Sequence, residues 1–63
     1  MGKFHGWQSV KVINENSDNF DRAGYVVRVE TSGDKEAVFV QLDANATQEA
    51  ALVTFEPSEL AGL

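Results

Sequence analysis

A glycine opens the stretch that most limits what this chain can fold into, Gly24-Tyr25-Val26-Val27-Arg28-Val29-Glu30. Valines and an aromatic favour an extended, pleated backbone. A glycine at the head of such a run marks a bulge or a sharp turn into the sheet, where a side chain would clash or φ is positive. Alternation places Val26 on one face and Val27 and Val29 on the other. A strand apolar on both faces is expected to bend through a small barrel and serve both halves of it.

Short β-rich runs lie on either side. Ser9–Ile13 alternates Val10 and Val12 with Ser9 and Lys11, at the period of two. Residues 14–23 are almost all polar turn formers, with Phe20 the only large apolar side chain, expected to tuck beneath the loop as its anchor. Thr31-Ser32-Gly33-Asp34-Lys35 predicts a hairpin turn. Ala37–Leu42 sends Val38, Val40 and Leu42 to one side, which leaves Phe39 facing solvent. Residues 43–51 hold good helix formers, but nine residues are marginal for a helix, so a long loop with at most one helical turn is expected. Leu52–Phe55 is a fourth strand, Pro57-Ser58-Glu59-Leu60 a 3₁₀ turn, and Ala61-Gly62-Leu63 a stub of a fifth. The expectation is an all-β protein: a five-stranded barrel, or four strands plus a stub. Residues 1–8 form a partly mobile N-terminal segment, with Met1–Gly6 its loose part, and residues 9–63 form the barrel domain.

Sixty-three residues make one domain near the lower limit for independent folding. A chain of this size buries only about 60% of the surface it exposes when unfolded. Without cysteine, neither a disulfide nor a cysteine-ligated zinc makes up the difference. A homodimer is one way to supply it. The lack of cysteine, of a signal-peptide pattern and of a long apolar run points to the cytoplasm, in a bacterium or phage.

The net charge of −5 is unevenly spread. Residues 1–35 carry five acidic and five basic side chains; residues 36–63 carry five acids and no Lys or Arg. Nucleic-acid affinity depends on cations that neutralise phosphates, so nucleic acid is disfavoured as a partner and a protein with a basic surface is favoured.

The order Val10-Lys11-Val12, polar loop, Gly24-x-Val26-x-x-Val29, hairpin, Val38-x-Val40, long loop, Phe55-x-x-x-Glu59-Leu60 resembles a known family. It is similar to the SH3-like barrel of photosystem I reaction-centre subunit IV and related electron-transport accessory proteins, over roughly residues 8–60. The Gly24-x-Val26-x-x-Val29 element is also similar to the KOW-type SH3-like domains of ribosomal and transcription-elongation proteins. The first resemblance implies a non-catalytic docking module that helps ferredoxin engage a membrane complex. The second implies RNA or polymerase binding, which would need Lys11, Arg22, Arg28 and Lys35 to converge on one face.

Little here points to chemistry. His5 is the only histidine, so a metal site lacks convergent ligands and a nucleophile lacks a base. A barrel this small also leaves little room for a substrate-sized pocket. No catalysis, cofactor or metal is expected. Binding is expected through a loop-lined acidic and aromatic face: Phe20 and Tyr25, an acidic rim of Glu15, Asp18 and Asp21, with Phe39 as a solvent-facing contact. Trp7 is either a lid over one end of the barrel or a further exposed contact.

Overall fold

The computed structural model describes residues 4–63. It is all-β: β1 (Ser9–Val12), β2 (Ala23–Ser32), β3 (Lys35–Leu42), β4 (Ala51–Phe55), a 3₁₀ turn (Pro57–Glu59) and β5 (Leu60–Gly62). The strands form one antiparallel sheet in the order β4-β3-β2-β1-β5. Class, strand number and turn agree with the expected small SH3-like barrel. No helix among the described residues is long and apolar enough to cross a membrane.

A single sheet has two faces, yet here one face forms one continuous core. Val10 and Val12 of β1, Val26 of β2, Val38, Val40 and Leu42 of β3, Phe55 of β4 and Leu60 of β5 are buried in one cluster. Residues from both end strands share that cluster, so the sheet must curl around it. The curl centres on β2. Its first residues pair with β1 (Tyr25 with Ser9, Gly24 with Val10) and also with β3, while its second half pairs with β3 alone.

Between the two halves the register slips: Val26 opposes Val40, Arg28 opposes Phe39, and Val27 is the extra residue. A bulge shifts the in/out parity by one. Val29 therefore packs against the core together with Val26, and Val27 is 45% exposed. The strict alternation that paired Val27 with Val29 is corrected by this bulge. Gly24 is required by close approach rather than by a positive φ. A Cβ there would lie 2.3 Å from the Gln41 carbonyl oxygen and 2.9 Å from the Leu42 Cα, both backbone atoms.

The β2–β3 hairpin turns on Gly33 and Asp34, between the paired Ser32 and Lys35. Gly33 has φ +63°, and it alone of the two has a positive φ, the pattern of a II′ turn that matches strand twist. Residues 43–50 form a loop without a helical turn. The Asn45 side chain accepts the N–H groups of Thr47 and Gln48, an alternative to helical pairing.

One expectation fails in the polar segments. Phe20 is 46% exposed and anchors nothing. Arg22 does that work: it is buried, donates from Nη1 to Asn19 Oδ1 at 3.1 Å, and from Nη2 to the carbonyls of Asp43 (3.0 Å) and Glu49 (2.8 Å). One guanidinium thus binds the first loop to the loop before β4. Met1–Lys3 lie outside the described residues, and residues 4–8 make contacts with the sheet. Phe4 is buried in the core, Trp7 donates its N–H to the Val26 carbonyl, and Val26 donates to the Gln8 carbonyl.

Replacing Gly24 with Ala puts a Cβ into the space held by the Gln41 and Leu42 backbones and forces β2 and β3 apart there. A loss of about 1–3 kcal/mol is expected, read as a lower urea midpoint. An unchanged midpoint would mean that the strands do not need this approach.

Candidate interaction face

The outer face of the sheet is built by the same alternation that fills the core. Tyr25, Gln41 and Leu52 form one row across β2, β3 and β4, with Ser9 beside Tyr25 on β1. Arg28, Phe39 and Thr54 form the next row. Lys11 lies two residues from Ser9 on the same face of β1. The face therefore carries Tyr25, Phe39 and Leu52, and Leu52 is 58% exposed.

Trp7 joins this face from the N-terminal turn. Its indole stacks on Tyr25 with ring centroids 5.5 Å apart and planes 14° from parallel. It is 82% exposed, so it is a surface aromatic and not a lid. Its backbone is left-handed, at φ 69°. That region is costly for a bulky side chain, on the order of 1–2 kcal/mol. The bond from Trp7 N–H to the Val26 carbonyl and the buried Phe4 hold the turn in place. Arg28 adds a cation: its guanidinium carbon lies 4.5 Å from the Phe39 ring centroid, and Nη2 is 3.1 Å from Glu30.

Of the residues expected to make contacts, Trp7, Tyr25 and Phe39 lie on this one face. Asp21 reaches the rim of the face through Lys11, at 2.7 Å. Asp18 and Phe20 stay on the polar loop, exposed. Leu52 was legible in the alternation of Leu52 and Thr54 with Val53 and Phe55. Val27 was hidden by the bulge, and nothing local marks Arg22 as a buried tie. With Arg22 buried, Lys11, Arg22, Arg28 and Lys35 do not make one free basic face.

Negative charge gathers away from the first loop. An open groove of about 740 Å³ lies between the β2–β3 hairpin and the 3₁₀ turn. It is larger than so short a chain led one to expect, because β3 runs on past the end of β4. Among the described residues, Glu30, Asp34, Glu36, Glu56 and Glu59 line it with one cation, Lys35. Glu59 is the structural member. The Glu56 N–H bonds its Oε1 at 2.9 Å and Asn14 Nδ2 bonds its Oε2 at 3.0 Å. These bonds, the Glu56 amide first, hold its carboxyl below the usual value of 4.5, against a smaller opposing effect of burial. Among the described residues, no group of three or more His, Cys, Asp or Glu is placed to hold a metal ion.

Because the folded Glu59 is more acidic than the unfolded one, its contribution is complete above about pH 4.5 and is lost as pH falls through the depressed folded value. Glu59→Gln is expected to flatten that acid limb in urea midpoints measured across pH, while wild type retains it. Trp7→Ala keeps the left-handed backbone and loses the ring stack, a cost of about 0.5–1.5 kcal/mol. Trp7→Gly also relieves the backbone, so it is expected to be at least as stable as Trp7→Ala in urea. The reverse order would show that the turn is unstrained.

No known protein family, curated protein or solved structure matches this chain.

Proposed function

We propose that the chain is a non-catalytic protein-interaction module that docks a partner on its outer face, through Trp7, Tyr25, Phe39 and Leu52. The observation that carries this reading is Trp7, an indole held 82% exposed on a strained left-handed backbone and stacked on Tyr25. Folding alone would favour glycine at that position and a buried indole. Strain of this kind persists where a side chain must be presented. Large aromatics on a firm sheet supply contact area at low entropic cost, and Trp, Tyr and Arg dominate interface hot spots.

Charge adds selectivity. The groove beside the face is lined by five carboxylates and one lysine, which favours a partner with a basic flank. The accessory, docking role implied by the resemblance to photosystem I subunit IV belongs to this reading, as does residence in the cytoplasm.

The test is capture by the immobilised protein at low and high salt, with and without nuclease, followed by titration of the captured protein. A protein partner is expected that survives nuclease and weakens with salt. Trp7→Ala should cost roughly 30-fold in affinity, as a hot-spot residue does. Loss of all binding after nuclease, or unchanged affinity in Trp7→Ala, would overturn the reading.

A further inference from the structure

Among the described residues, the free side of β4 ends the sheet without a lysine, a proline or a bulge to guard it. Ala51-Leu52-Val53-Thr54-Phe55 contains no charge and no proline. Edge strands are ordinarily guarded by lysine, proline, a bulge or extreme shortness. β5, at the other end of the order, has three residues and is guarded by shortness. β4 is longer, pairs with β3 over all five residues without a register slip, and has no other backbone bond among the described residues. Alternate residues of such a strand turn N–H and C=O outward as a template.

What flanks the edge selects its occupant. Glu49 precedes β4 and Glu56 follows it, both exposed, and no Lys or Arg occurs anywhere in residues 36–63. A second copy paired antiparallel about Val53 would set Glu56 of each copy opposite Ala50 of the other, one residue from its Glu49, at both ends. A parallel copy would oppose like residues directly. Close like charges across strands are destabilising. An extended segment with lysine or arginine at its ends meets the opposite situation, since each end finds a carboxylate. Val53, on the core side, is only partly buried, so an added strand with apolar residues on that side would cover it. On the outer side the same strand continues the row of Tyr25, Gln41 and Leu52.

We infer that β4 receives an extended, alternately apolar peptide segment with basic ends, added as a sixth strand. This rests on the interaction-module reading and names the part of the partner that the module grips. Main-chain bonds would supply affinity, and Glu49 and Glu56 the direction of choice.

The test uses the full chain and three synthetic peptides: Lys-Val-Thr-Val-Thr-Val-Lys, the same peptide with glutamate at both ends, and the lysine peptide with proline at its centre. The lysine peptide is expected to bind best and to slow amide exchange within Ala51–Phe55. The proline peptide should lose that protection, because it lacks the bonding N–H. Glu49→Lys with Glu56→Lys should reverse the preference between the lysine and glutamate peptides, by about tenfold or more each way. That reversal cannot come from misfolding. No binding, binding that leaves β4 exchange unchanged, or a preference indifferent to the charge swap overturns the inference. So does protection of β4 that grows with protein concentration and needs no peptide, which would identify a second copy as the occupant. Trp7→Ala separates the two proposals: if it abolishes capture of the partner while the charge swap does not alter it, the face stands and the edge falls.

Discussion

The sheet depends on how closely β2 can approach β3 at Gly24. β2 is the only strand bonded to both β1 and β3, and it joins the β5-β1 half of the sheet to the β3-β4 half. Gly24 lies at that junction, with the Gln41 and Leu42 backbones inside the space a Cβ would fill. Two residues later the bulge at Val27 bends the strand. The approach and the bend let one short sheet wrap around a core made mostly of valines. β-branched side chains suit this role, since they are stiff and pack well on a pleated surface.

A core of this size covers little chain, so the long polar segments need polar ties. Arg22 is the main one. Its guanidinium satisfies carbonyls in the loop before β4 while its own loop leads into β2. Burying a charge is costly unless its donors are satisfied, and three bonds to neighbouring oxygens largely meet that demand. Among the described residues its Nε has no partner. From the same loop, Asn14 bonds Glu59 and ties the loop to the 3₁₀ turn as well. The first loop is long in sequence yet tethered on two sides, to the loop before β4 and to the 3₁₀ turn.

The surface that results is divided by chemistry. Aromatic and apolar side chains occupy the outer face, where Lys11 and Arg28 also lie, each paired with a carboxylate of the chain itself. Among the described residues, Asp34, Glu36, Glu56 and Glu59 have no such ion pair and gather around the hairpin end and the 3₁₀ turn. An apolar patch beside a field of one sign is an arrangement in which contact area sets affinity and charge sets choice of partner.

Much of the fold was legible in the residues. The period of two in β1 and β3, the glycine in the hairpin, and the proline at the 3₁₀ turn act locally, so strands and turns could be read with ends misplaced by a residue or two. The sites were legible in part: Tyr25 and Phe39 follow from alternation on regular strands. Whatever depended on distant contact was not. The parity change at Val27 arises from pairing with β3, and the burial of Arg22 requires carbonyls more than twenty residues away. The burial of Phe4, and the strained display of Trp7, require β2 to lie against the N-terminal turn. Local preference determined which segments are strands, because extended backbone and side-chain shape are properties of neighbouring residues. Only the tertiary structure decided which side chains are buried, paired or displayed, because those depend on segments far apart in the chain that meet when the sheet curls.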